Sequence, residues 1–115
     1  MPKSLPLLST GAAECCATPP ADALTVAEAD SIARTFKALG DPTRVRLLSL
    51  IAASRDGEAC ICDLTEPVGL SQPTVSHHMK LLVDAGLATR EQRGRWAHFR
   101  VVTETLDQAA RALRP

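Results

Sequence analysis

The chain has 115 residues, 45% of them hydrophobic, and 13 Lys and Arg balance 13 Asp and Glu. That size and composition fit one small globular domain, with enough core to fold but helped by a partner subunit. No apolar run approaches the roughly 20 residues of a membrane span, so no membrane partner is expected.

A zero net charge argues by itself against a nucleic-acid partner, but the distribution argues for one. Residues 1–70 hold six Lys/Arg against nine Asp/Glu, whereas residues 71–100 hold five against two. The second segment is locally basic, as phosphate contact requires, and the neutral total keeps phosphate contacts few and release easy.

In chain order, residues 1–23 carry four prolines and the pair Cys15-Cys16 and show no sustained periodicity. They are expected to form a flexible arm, with residues 24–115 as the folded domain. Leu5 to Leu8, interrupted by Pro6, is too short an apolar run for a secretory signal, so a cytoplasmic location is expected. In that compartment, four cysteines point to metal or redox chemistry rather than disulfide staples. Thr25-Val-Ala-Glu28 is a capping box opening a helix to about Leu39. Its stripe, Ala29, Ile32, Ala33, Phe36 and Leu39, can pack on the core or across a dimer axis. Asp41 and Pro42 start a helix that is apolar on most sides through Val45, Leu47, Leu48, Leu50 and Ile51, and residues 54–58 read as a polar loop.

Residues 62–67 form a short helical segment, Val68-Gly69-Leu70 a tight turn, and residues 71–86 a second helix, with Ser71 as its cap, Pro73 in its first turn and Gly86 closing it. Val75, Met79, Leu82 and Ala85 make its apolar stripe. Gln72, Thr74, Ser76, His77 and Lys80 lie opposite. This order is the helix-turn-helix pattern, whose second helix enters the major groove of duplex DNA. Two alternating stretches between Leu87 and Val102, with Gly94 between them, then read as a β-hairpin wing. Trp96, His98 and Arg100 share one face and Ala97, Phe99 and Val101 the other. Thr103 can cap a last helix whose Leu106, Ala109, Ala110 and Leu113 should pair with the first helix or its copy in a second subunit. The fold class expected is mainly α with a β-hairpin. Base contacts fall to Gln72, Thr74, Ser76 and His77, and phosphate contacts to Lys80, Arg93 and Arg95.

Phe36-Lys-Ala-Leu-Gly-Asp-Pro-Thr-Arg44, Cys60-Ile-Cys-Asp-Leu64, Leu70-Ser-Gln-Pro-Thr-Val-Ser-His-His-Met-Lys-Leu-Leu82 and Ala85-Gly-Leu87 together resemble the ArsR/SmtB metalloregulatory repressors, over about residues 30–102. The resemblance implies a winged helix-turn-helix homodimer on operator DNA that leaves it when a toxic metal or metalloid binds.

It also carries the family's thiol site onto Cys60 and Cys62. Two thiolates two residues apart at a helix start can reach one ion, and the helix dipole there is expected to lower their pKa. Thiolates select soft ions. Two donors are too few, and Cys15 and Cys16 are the candidates to complete the set. Three sulfurs suit As(III) or Sb(III); four suit Cd(II), Pb(II) or Zn(II). The family's plainest arsenic sensors place a third cysteine near the first two, which this chain lacks, so in that respect it looks closer to cadmium and lead sensors that recruit amino-terminal cysteines. Adjacent cysteines strain the ring they close on one ion, so one of Cys15 and Cys16 is taken as the third ligand, favouring arsenite. The last helix offers Glu104 and Asp107 but no His, so the family's inter-subunit zinc site is not expected.

Three rivals use the same cysteines: a thiol-oxidation sensor, a thiol-disulfide or arsenate-reducing enzyme, and a structural zinc module. The enzyme lacks a Cys-x-x-Cys beside a βαβ unit and any phosphate-cradling loop. A structural zinc site would make folding depend on the metal.

Overall fold

The computed structural model describes residues 20–114. Thr25 caps helix α1, Val26–Ala38: its hydroxyl accepts the Glu28 N–H at 3.1 Å and the Glu28 carboxylate accepts the Thr25 N–H at 2.8 Å. Asp41 caps α2, Pro42–Ala53, by accepting the Thr43 N–H at 2.8 Å. That bond holds the Asp41 carboxyl below its usual pKa.

Residues 54–58 are more ordered than a loop. A 3-10 turn, Arg55–Gly57, leads into a three-residue strand, β1, Glu58–Cys60. The strand is too short to show an alternating pattern and exists through its pairing. Helix α3, Ile61–Val68, starts one residue before the expected segment and ends one after it. Gly69 follows at φ 70°, where a side chain would be strained. Helix α4 spans Gln72–Asp84. Ser71 stands at its cap position, yet its hydroxyl bonds the Thr74 hydroxyl at 2.9 Å and no side-chain bond caps the backbone.

Strands β2, Ala88–Arg93, and β3, Trp96–Val101, form the hairpin, and β1 joins its other side to give the antiparallel order β1-β3-β2. Helix α5, Thr103–Ala112, closes the domain. Val102, not Thr103, is its cap residue, and no side-chain bond caps it, because Thr103 already has helical backbone. The hydroxyl of Thr105 instead donates to the Gly86 carbonyl at 2.6 Å.

Leu47 and Ile51 of α2, Leu64 of α3, Val75, Met79 and Leu82 of α4, and Leu87 meet in one core with under 2% exposure each, and Phe99 of β3 packs into it. Each such side chain contributes about 1.5–3 kcal/mol of burial. This core clamps α4 along one side only. Helices α1 and α5 pack on each other where Thr35 and Ala109 are buried, and α1 reaches that core through its last residue, Ala38. The apolar stripe foreseen for α1 largely faces outward: Ala29, Ala33 and Phe36 are exposed and Ile32 half-buried, as Leu106 and Leu113 of α5 are exposed.

Leu47→Ala should destabilise the domain by about 2–5 kcal/mol, because the void lies where α2, α4 and the sheet meet and little can collapse into it. Urea unfolding followed by circular dichroism measures this.

Candidate functional site

Burial of Val75, Met79 and Leu82 turns the opposite side of α4 outward. Gln72, Thr74, Ser76, His77 and Lys80 are all exposed there. Lys80 Nζ pairs with Asp84 Oδ2 at 2.9 Å, an exposed pair worth little, so its ammonium can exchange that partner for a phosphate. His78 leaves this face. Its Nδ1 lies 3.2 Å from Arg44 Nη1, tying α4 to α2.

The hairpin divides its faces as its alternation predicts, with Ala97 and Phe99 buried and Trp96 and Arg100 exposed. Its base is an ion-pair cluster. Glu58 of β1, whose side chain is 14% exposed, accepts Arg100 Nη2 at 3.0 Å and also pairs with Arg93. Arg93 reaches Glu91 Oε1 at 2.7 Å as well. Beside Glu91 and Glu58 its guanidinium holds its proton more tightly, and the Glu91 carboxyl is lowered in turn. Of the two wing arginines expected on phosphates, Arg93 is therefore engaged by two carboxylates. Arg95 is exposed and makes no ion pair among the described residues.

The thiol pair sits at the root of this sheet. Cys60 is both the last residue of β1 and the cap of α3, and its Sγ accepts the Cys62 N–H at 3.4 Å. It is buried, whereas Cys62 is exposed. In the antiparallel register Cys60 faces His98, whose Nδ1 is buried without a partner among the described residues. The expected lowering of both thiol pKa values by the helix dipole does not hold for Cys62. The hydrogen bond with the adjoining Cys60 side chain, a slight loss of hydration and the charges of Cys60 and Asp63 push it up to about 11. A neighbouring sulfur and carboxylate outweigh the half-charge at the end of an eight-residue helix.

Cys60 and Cys62 are thus brought together, but among the described residues no third His, Cys, Asp or Glu joins them in a set able to hold an ion. Two thiols fit a soft ion by type and fall short in number. Cys15 and Cys16 lie outside the described residues. Glu104 and Asp107 are exposed on α5. No helix among the described residues is long and apolar enough to cross a membrane.

Two residues at this site were not singled out from sequence. Glu58 looked like a loop residue and gains its role only through a strand with no pattern of its own. Arg44 donates Nε–H to the Ala38 carbonyl at 2.6 Å and reaches His78, so it joins α1, α2 and α4. Its place after Asp41-Pro-Thr was the available signal.

Comparisons with known proteins agree with this geometry. Residues 41–90 match the model of the arsR family of bacterial regulatory proteins. The arsenic resistance transcriptional regulator ArsR1 of Pseudomonas putida is 44% identical over 69 residues, which span 60% of this chain and 52% of that protein. The crystal structure of AntR, an antimony-specific transcriptional repressor, is 31% identical, with a TM-score of 0.65 over 85% of this chain and 87% of that one. The homodimeric winged helix-turn-helix DNA-binding domain of Mb0332 from Mycobacterium bovis is 25% identical, with a TM-score of 0.63 over 73% of this chain and 76% of that one.

A thiol raised to about 11 is protonated at neutral pH. Despite its exposure, Cys62 should therefore alkylate slowly with iodoacetamide at pH 7, and about tenfold faster per unit of pH as the thiolate fraction grows. Peptide mass mapping across pH 7–10 reads this, and a flat rate would contradict the raised value.

Proposed function

This chain belongs to the arsR family of bacterial regulatory proteins, a family of transcription regulators and not of enzymes, and from that premise we propose a repressor that binds operator DNA as a homodimer and is released when As(III) or Sb(III) binds its cysteine thiols. One observation carries the proposal. The two thiols Cys60 and Cys62 occupy the first turn of α3, whose far end reaches the exposed helix α4 through residues 69–71 alone.

In this reading the amino-terminal arm, residues 1–23, supplies Cys15 or Cys16 as the third sulfur, and residues 24–115 form the DNA-binding and dimerisation domain. The outward apolar surfaces of α1 and α5 support a second copy docking there. Gln72, Thr74, Ser76 and His77 read base edges, while Lys80 and Arg95, with Arg93 once freed from Glu91, grip phosphates. Stoichiometry favours a trivalent hydroxide over a divalent cation. Each thiol proton leaves with one hydroxide of As(OH)3 as water, so three thiols and one hydroxide complex yield three sulfur-arsenic bonds and three waters. Cd(II), Pb(II) or Zn(II) has instead to expel the protons into solution.

Release of the protein from DNA upstream of its own gene, titrated with arsenite, antimonite, cadmium, lead and zinc, tests the proposal. Arsenite and antimonite should release it, and Cys60→Ser and one of Cys15→Ser and Cys16→Ser should abolish release while leaving DNA affinity intact. Release by cadmium or lead that needs all four cysteines would replace the proposal with a four-sulfur sensor; release by peroxide alone would replace it with an oxidation sensor.

Arg95→Ala should weaken binding to all duplex sequences alike and lower the salt slope by about 0.9, the loss of one phosphate contact. Relaxed specificity at a single base pair would instead move Arg95 from the backbone to a base edge.

A further inference from the structure

Beside the carboxy-terminal half of α4 lies an open groove of about 320 Å³ that neither the recognition face nor the wing uses. Leu81 and Asp84 of α4, with Ala85 at its C-cap, form one wall, and Arg34 and Lys37 of α1 with Arg44 of α2 form the other. Arg44 is fixed in place. It donates to the Ala38 carbonyl at 2.6 Å, reaches His78 Nδ1 at 3.2 Å and stands 3.9 Å from Asp41. Arg34 and Lys37 are different: both are exposed and make no ion pair among the described residues. The groove's single carboxylate, Asp84, is already held by Lys80. Two exposed cations thus stand over a groove with one acid, which they outnumber even when Lys80 leaves Asp84 for a phosphate.

We propose that Arg34 and Lys37, positioned by Arg44, make a third contact with the DNA backbone, separate from the recognition face and the wing. The inference rests on the DNA-binding reading above. At 100° per residue, Leu81 and Ala85 lie one step round α4 from Lys80 and Asp84, so the groove opens beside the exposed face. A duplex seated on that face passes its phosphates along the groove's edge. Phosphate contacts of this kind fix register and orientation without reading sequence. They also help a chain of zero net charge hold a polyanion, because Arg34 and Lys37 add two cations, unpaired among the described residues, beside α4, where Asp84 is the groove's one acid.

The test is equilibrium binding of the full-length protein to a mixed-sequence 30-base-pair duplex from 50 to 200 mM salt. Wild type is set beside Arg34→Ala/Lys37→Ala, the single variant Lys37→Ala and the charge-keeping Arg34→Lys/Lys37→Arg. The double variant should bind more weakly and have a salt slope shallower by about 1.8, so that its deficit shrinks roughly tenfold across that range. Lys37→Ala should lose about half of that slope, and the charge-keeping variant none. Circular dichroism and sedimentation confirm that fold and oligomeric state are kept. An unchanged slope in a folded double variant overturns the contact while leaving the DNA-binding reading standing. No duplex binding by wild type overturns both. A thermal shift of wild type by inorganic phosphate, lost in the double variant whose DNA slope is unchanged, would make the groove a small-anion pocket and also overturn the contact.

Discussion

Cys60 belongs to two structures at once, and the organisation of the domain follows from that. As the last residue of β1 it is held in register against His98 of β3. As the cap of α3 its sulfur takes the backbone N–H of Cys62. On the proposed reading, a soft ion on that sulfur would compete for the same lone pairs that hold the start of α3. One residue is therefore linked to both the helix-turn-helix and the wing: to α4 through α3 and the turn at Gly69, and to the wing through β1. A thiol placed mid-helix would reach only one of them.

Electrostatics ties the same strand to the wing a second time. Glu58, two residues before Cys60, is largely buried beneath Arg93 and Arg100. Removing one partner from a cluster of this kind leaves a desolvated charge behind, whereas exposed pairs such as Lys80–Asp84 cost little to exchange. The cations near the DNA-facing surface thus divide by function. Arg100 and Arg93 tie the hairpin to β1 through Glu58, so Arg93 could turn to a phosphate only by giving up Glu91, while among the described residues Lys80, Arg95, Arg34 and Lys37 carry no such tie to β1. The sequence alone assigned Arg93 and Arg95 one role because spacing cannot show which arginine finds a carboxylate.

What could be read from the residues were the features governed by local chemistry. The Thr25–Glu28 capping box, the Asp41 cap with Pro42 behind it, the left-handed Gly86 and the alternation of Trp96 to Val101 each depend on neighbours within a few positions, and each formed as expected. Ser71 and Thr103 show the boundary of that logic. Both are good capping residues, but Ser71 had a nearer hydroxyl to bond and Thr103 was drawn one position into its helix. Strand β1 was hidden because three residues carry no period; it is made by β3, about forty positions away. The Cys62 pKa was hidden for a related reason. The dipole of α3 follows from sequence, but the placement of the Cys60 side chain against Cys62, which overrides it, depends on how β1 meets α3.

The balance of charge then sets how hard the switch must work. A strongly basic repressor would sit on DNA through many phosphates, and each would have to be given up on induction. This chain carries no net charge and concentrates a handful of cations on one side of α4. Driving a two-state equilibrium from almost wholly bound to almost wholly free takes about 5.5 kcal/mol of differential affinity. On the proposed reading, few phosphate contacts would leave a modest binding energy to overcome, and a three-thiol site acting through one strand end and one short helix could meet that requirement. It meets it only if the ion distorts the geometry that DNA selects. A sulfur that serves at once as helix cap and strand end is where such distortion begins with the least displacement.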